Sequence, residues 1–157
     1  MLRAAAEFGK LFMAAVLVVD DETDVRQLLG QVITRAGHRV MEADSSDAAL
    51  HMMEQDAADV VFTDIHMPGR DGRWLTKEVR KRYPTTAVVL ATSVTDLEPT
   101  ITLRLGVLSY LVKPFDLESV RRALEMAIAW HDKTVADGPE VVAHEQLEQW
   151  LDSLEIL

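Results

Sequence analysis

Four apolar runs in this 157-residue chain each stop at a polar group with chemistry to offer. Val16 to Val19 stops at Asp20-Asp21. Val60 to Thr63 stops at Asp64. Ala87 to Ala91 stops at Thr92-Ser93, and Tyr110 to Val112 stops at Lys113-Pro114. Helix-period segments separate the runs, and that alternation predicts a parallel α/β sheet. Runs such as Val60-Val-Phe62 and Val88-Val-Leu90 are apolar without a period of two, which predicts helices on both faces, a doubly wound sheet. In such a sheet the strand carboxyl ends lie along one edge, and ligands bind there. Three carboxylates, a hydroxyl and an ammonium from separate strands then converge on one place.

The remaining elements follow from periodicity and punctuation. A first strand is predicted over Ala15 to Val19, and a helix over Thr23 to Ala36 with Val25, Leu28, Leu29, Val32 and Ile33 on one face, stopped by Gly37. Arg39 to Ala43 reads as a less apolar strand at the sheet edge. Ser45 or Ser46 caps a second helix through Gln55, with Ala48, Ala49, Met52 and Met53 inward. Asp59 to Thr63 is the third strand. Pro68, Gly69 and Gly72 mark a loop, followed by a helix over Arg73 to Arg82. Pro84 breaks the chain before the fourth strand, Ala87 to Ala91. A fourth helix is placed at Pro99 to Leu105, since proline is tolerated only in a first turn. Val107 to Val112 is the fifth strand. Asp116 caps a fifth helix, Leu117 to Trp130, with Val120, Leu124 and Ile128 inward.

Residues 1–13 read as a leader, with Met13 as the natural start, and residues 14–133 as one domain. Residues 134–157 read as a linker around Ala136-Asp-Gly-Pro139 and a C-terminal amphipathic helix carrying Leu147, Trp150, Leu151 and Leu154. That stripe folds back on the domain, pairs with a second copy, or leads into an output domain. A net charge of −10 argues against nucleic-acid contact and against an anionic membrane surface. Leu11 to Val19 lacks a cleavage site and is no signal peptide. No run reaches the roughly 18 apolar residues of a membrane helix. The lack of cysteine suits a cytoplasmic setting.

Asp20, Asp21 and Asp64 repel one another when gathered without a cation. Oxygen-only ligands favour Mg²⁺, which binds one or two carboxylates and keeps room for phosphate. A carboxylate is also a competent nucleophile toward phosphorus, and the rest of such a transfer is charge neutralisation. Lys113, Thr92 and the metal suit the three phosphoryl oxygens.

Four blocks, Val18-Val-Asp-Asp-Glu22, Thr63-Asp-Ile-His-Met-Pro-Gly69, Leu90-Ala-Thr92 and Tyr110-Leu-Val-Lys-Pro-Phe115, resemble the signatures of the CheY-like receiver domain of two-component response regulators. The resemblance covers Ala14 to Trp130. It implies a (βα)5 fold with flavodoxin-like strand order 2-1-3-4-5. It implies Asp64 as phosphoacceptor, Asp21 as a direct Mg²⁺ ligand, Asp20 reaching the ion through water, and the His66 backbone carbonyl as a further ligand, with Mn²⁺ as a substitute ion. It implies Lys113 on the phosphoryl group, a cis bond before Pro114, and Thr92 with Tyr110 as the switch. The surface formed by the fourth helix, fifth strand and fifth helix would then change for its partner. Implied partners are a sensor histidine kinase or histidine phosphotransfer protein, and an effector or output domain. A second copy could pair through the switch surface or the C-terminal helix. The implied role is signalling, with catalysis confined to the domain's own phosphorylation and dephosphorylation. Two departures sit beside the switch surface: the Thr92 to Tyr110 spacing is one residue short, and Glu98-Pro99 opens the fourth helix.

Two other functions stay open on the residues. Asp20 followed by Glu22-Thr23 partly matches a phosphatase of the haloacid dehalogenase type, with Asp20 as nucleophile. A receiver that takes no phosphate and serves for docking is the other. Glu78, Arg80, Lys81 and Arg82 read as a solvated helix face, and Met52, Met53 and Met126 as core fillers. His131-Asp132 resembles half of a metal phosphohydrolase motif, without the further ligands.

Overall fold

The computed structural model describes residues 13–93 and 107–155. Five strands form one parallel sheet, ordered β2-β1-β3-β4-β5. They are β1 (Ala15–Val19), β2 (Arg39–Ala43), β3 (Val60–Thr63), β4 (Ala87–Thr92) and β5 (Ser109–Val112). Among the described residues the helices are α1 (Thr23–Arg35), α2 (Ser46–Gln55), α3 (Gly72–Arg82), α4 (Leu117–Asp137) and α5 (Pro139–Glu155). The helix expected at Pro99 to Leu105, and the Glu98-Pro99 departure, lie outside the described residues.

Successive strand side chains point to opposite faces, and the core divides accordingly. Val16 and Val18 join Leu29, Ile33, Phe62, Val89, Leu124 and Ala127 on the face covered by α1 and α4. Leu17 and Val19 join Met53, Leu75, Val79, Val88 and Leu90 on the face covered by α2 and α3. Each fully buried side chain of this size contributes about 1.5–3 kcal/mol. Covered on both sides, β1, β3 and β4 are buried throughout, as their unbroken apolar runs predict.

The caps are those read from sequence. Ser45 Oγ accepts the Ala48 N–H at 3.1 Å, so Ser45 and not Ser46 caps α2. Asp116 Oδ1 accepts the Ser119 N–H at 2.7 Å at the start of α4. Gly37 takes φ 91° after α1, a backbone conformation that suits glycine.

Four expectations need correction. Leu28 and Met126 are exposed, not inward. Arg80 is no solvated charge: its guanidinium packs 5.0 Å from the Trp130 ring centroid and donates to the Thr86 carbonyl at 2.7 Å. Lone burial of a cation is costly, and the ring and the carbonyls offset it. Helix α4 runs past Trp130 to Asp137, so the span read as a linker narrows to Gly138, at φ 95°. Helix α5 then returns against α4: Val142 is buried, and Lys133 Nζ lies 2.6 Å from Glu145 Oε2. The side chains of Leu147, Trp150, Leu151 and Leu154 lie outside the described residues.

Candidate functional site

The register of the sheet puts the polar residues together. Val19 pairs with Thr63, so Asp20 and Asp64 leave neighbouring strands at one level, and the Asp64 N–H donates to the Val19 carbonyl at 3.0 Å. Thr63 pairs with Leu90 and Thr92 pairs with Val112, so Thr92 and Lys113 close the row from β4 and β5. The Lys113 N–H donates to the Thr92 carbonyl at 2.9 Å, and the Lys113–Pro114 peptide bond is cis.

Lys113 reaches back across the edge. Its Nζ lies 2.7 Å from Asp20 Oδ2, 3.2 Å from Asp64 Oδ2 and 3.5 Å from Glu22 Oε1. The other oxygens take backbone donors: Asp20 Oδ1 accepts from Glu22 N at 2.9 Å and Asp64 Oδ1 from Ile65 N at 2.7 Å. Asp20, Asp21 and Asp64 each offer an oxygen, all within 4.8 Å of one another. Asp20 and Asp64 are buried and Asp21 is exposed, so the cluster opens to solvent on the Asp21 side.

Burial pushes the Asp20 carboxyl above its ordinary range; the Lys113 and Glu22 hydrogen bonds oppose the rise and the Asp64 charge adds to it. For Lys113, burial works to lower the value, but the hydrogen bonds and charges of Asp20 and Asp64 outweigh it and raise the ammonium. Lys113 is therefore a fixed cation at neutral pH, and it faces a surplus of negative charge. A hard divalent ion fits that surplus and that all-oxygen donor set.

Thr92 Oγ1 is buried, and among the described residues it has no hydrogen-bond partner. A buried orphan hydroxyl costs about 1–3 kcal/mol, and this one stands at the level of the strand ends that carry the carboxylates and Lys113. Tyr110 stands three residues before Lys113, paired with Leu90 of β4, and 47% of its surface is exposed. His66 is exposed on the loop after Asp64, and among the described residues the cluster is made of carboxylates, with no histidine side chain in it.

Two supports escaped the sequence reading. Gly72 reads from sequence as a turn former, yet a Cβ there would fall 1.8 Å from the Asp64 carbonyl oxygen. Glycine lets the α3 N-terminus press against the backbone of Asp64, with Gly72 N–H donating to the Ile65 carbonyl at 2.8 Å. The only signal was glycine directly after the capping Asp71. Arg26 donates from Nη1 to the Asp20 carbonyl at 2.6 Å, fixing the Asp20-Asp21 peptide from α1. Its place in the first turns of α1, five residues past Asp21, was the available hint.

Residues 16–125 match the model of the response regulator receiver domain. The response regulator protein FleR of Pseudomonas aeruginosa is 36% identical over 128 residues, covering 81% of this chain and 26% of FleR. The regulatory protein AtoC of Escherichia coli K12 is 37% identical over 116 residues, covering 71% of this chain and 25% of AtoC. The chain thus spans about a quarter of the length of these relatives. Among solved structures, the receiver domain of NtrX from Brucella abortus superposes with a TM-score of 0.69 at 32% identity, covering 73% of this chain and 98% of that one. The chemotaxis response regulator CheY4 of Vibrio cholerae gives a TM-score of 0.69 at 31% identity, covering 74% and 99%. Fold, strand order and family model agree, and the chain belongs to the response regulator receiver domain family of two-component systems.

Proposed function

We propose that Asp64 accepts a phosphoryl group from a phosphohistidine on a sensor histidine kinase or histidine phosphotransfer protein. The observation that carries this reading is the convergence of the Asp20, Asp21 and Asp64 oxygens with Lys113 Nζ at one sheet edge. An Asp64 oxygen forms the new P–O bond as the donor's N–P bond breaks. The electron pair of that bond returns to the imidazole nitrogen. Lys113 exchanges part of its contact with Asp64 for a phosphoryl oxygen, and the orphan hydroxyl of Thr92 donates to another. Asp20, Asp21, Asp64 and the His66 carbonyl would hold Mg²⁺, or Mn²⁺ in its place, which when bound offsets charge on the transferring oxygens. Asp20 is the poorer nucleophile, since burial favours its protonated form.

Engagement of Thr92 draws the Tyr110 ring inward from its exposed position and shifts a pre-existing equilibrium between two surfaces. The surface around β5 and α4 then signals to an effector or an attached output domain, or pairs with a second copy. The relatives include DNA-binding transcriptional regulators, so a longer regulator with residues 14–133 as its receiver unit is the natural setting, in the cytoplasm. Among the described residues no helix is long and apolar enough to cross a membrane.

The test is intact-mass spectrometry after incubation with Mg²⁺ and acetyl phosphate, with Asp64→Asn and Asp20→Asn in parallel. One base-labile phosphoryl adduct on the wild type, lost with EDTA and lost in Asp64→Asn, is the expected outcome. An adduct that survives in Asp64→Asn and vanishes only in Asp20→Asn would transfer the role to Asp20.

A further inference from the structure

The opposite edge of the sheet, where strands begin, holds a buried histidine that the phosphoryl chemistry does not use. His131 sits on α4 and is 7% exposed. Its Nδ1 lies 2.6 Å from the Thr85 carbonyl oxygen and its Nε2 lies 3.1 Å from Asp59 Oδ1. A neutral imidazole has one donor and one acceptor nitrogen. A carbonyl oxygen only accepts, so Nδ1 carries a proton. An ionised carboxylate also only accepts, so Nε2 needs a proton too, unless Asp59 holds one. Asp59 Oδ2 accepts the Ala15 N–H at 2.9 Å, and a hydrogen bond of that kind favours the ionised carboxylate. The proton therefore belongs on the ring.

The surrounding charges divide on this point. Asp59, from the entry to β3, favours the imidazolium. Arg80, from the end of α3, opposes it but is occupied by Trp130 and the Thr86 and Pro84 carbonyls. His38, from the turn after α1, accepts the Ala14 N–H on Nδ1 at 3.1 Å, one residue from the Ala15 that binds Asp59. Asp132 follows in the chain, and Lys133 is paired with Glu145 of α5. Burial opposes any cation. The Asp59 carboxylate, in contact at 3.1 Å, weighs against that cost.

We propose that His131 is a proton-dependent clamp, an imidazolium that fastens α4 to the sheet and releases it when deprotonated. Asp59 is joined to both neighbouring strands, its N–H donating to Ala15 O and its carbonyl accepting from Ala87 N. Thr85 stands just before β4. One imidazolium thus ties β1, β3 and β4 to the part of α4 from which α5 turns back. Losing the Nε2 proton turns the Asp59 contact from attraction to repulsion between lone pairs. The imidazolium is bound more tightly in the folded state, so its stabilisation is full below the unfolded histidine value and is lost as pH rises through the folded one.

The deciding measurement is a long-range ¹H–¹⁵N NMR titration of the His131 ring between pH 5 and 9.5, joined to hydrogen exchange of the α5 amides. We expect both ring nitrogens protonated at pH 7 and a midpoint at least about one unit above the ordinary 6.5. Asp59→Asn should lower that midpoint by about a unit or more, because the attracting charge is gone. Exchange in α5, corrected for its intrinsic pH dependence and referenced to α3, should speed up about tenfold above the midpoint, since the clamp gates local opening. A neutral ring with a single Nδ1 proton at pH 7, a midpoint unmoved by Asp59→Asn, or α5 exchange indifferent to the titration would each overturn the clamp. If Asp59→Asn does not fold, the wild-type titration and exchange decide it alone.

Discussion

The two edges of the sheet use the same kinds of groups and balance them differently. At the edge where strands begin, Asp59 is met by the Ala15 N–H and by His131, Thr86 Oγ1 donates to the Ala58 carbonyl, and Arg80 finds carbonyls and a ring. At the edge where strands end, three carboxylates are gathered and one ammonium reaches two of them, Asp20 and Asp64, and a buried hydroxyl has no partner among the described residues. Folding alone has no use for the second arrangement, since gathered like charges cost stability. The proposed Mg²⁺ and phosphoryl group would complete that imbalance. Mutations on the two edges should therefore fail in different ways.

The largest difference is expected at two glycines. A Cβ on Gly72 would lie 1.8 Å from the Asp64 carbonyl oxygen, 2.8 Å from the Asp64 carbonyl carbon and 2.9 Å from the Ile65 Cα. These are backbone atoms and cannot swing aside. Gly72→Ala should cost on the order of 3 kcal/mol or more in urea unfolding and abolish the acetyl-phosphate adduct in whatever remains folded. Gly37, near the opposite edge, meets nothing within 4 Å and needs only its positive φ, so Gly37→Ala should cost about 1–2 kcal/mol and leave the adduct intact. Equal costs at the two sites would break the contrast.

Charge gives the next effect. Burial, with Asp64 nearby, raises the Asp20 carboxyl, and Lys113 only partly opposes this. A raised folded value means that ionising Asp20 favours the unfolded chain, so its contribution is favourable in acid and lost as pH rises through that value. Asp20→Asn should thus raise the urea midpoint of the metal-free protein at pH 7, and the gain should vanish as pH falls below the ordinary 3.8. Saturating Mg²⁺ should reverse the order, because binding at a hundred times Kd stabilises by about 2.7 kcal/mol and the variant forfeits a ligand. A variant less stable than wild type in EDTA at pH 7 would mean that Lys113 already balances the edge.

This contrast also explains what was legible in the sequence. The strand-end residues were readable because a parallel sheet brings strand ends to one edge whatever the helices do, and Asp20, Asp64, Thr92 and Lys113 all follow apolar runs. The opposite edge was not readable. Its partners are backbone carbonyls, as for Arg80 and His131, or residues far apart in the chain, as for Asp59 and His131, and neither leaves a local pattern. Arg80 looked solvated because its neighbours Lys81 and Arg82 are. The end of α4 was misplaced because Trp130 to Asp137 has no strong helix stop before Gly138. Gly72 was visible as a glycine but not as a contact, since close approach is a property of packing and not of sequence.

The smallest effect sharpens the comparison most. Thr86 is buried, and its hydroxyl donates to the Ala58 carbonyl at 2.7 Å, closing the strand-entry edge between β3 and β4. Thr86→Val keeps the shape and the β-branch while removing the donor. The Ala58 carbonyl then loses that hydrogen bond inside the protein, which should cost about 1–2 kcal/mol by urea unfolding. No ionisable group is deleted, so the loss should be the same at pH 5 and pH 7, unlike that of Asp20→Asn. The yield of phosphoryl adduct should stay within about twofold of wild type, because the site depends on register and not on marginal stability once folded. A larger fall in adduct would mean that the two edges are coupled through β3, whose ends carry Asp59 and Asp64, and that the balanced edge also serves to aim the unbalanced one.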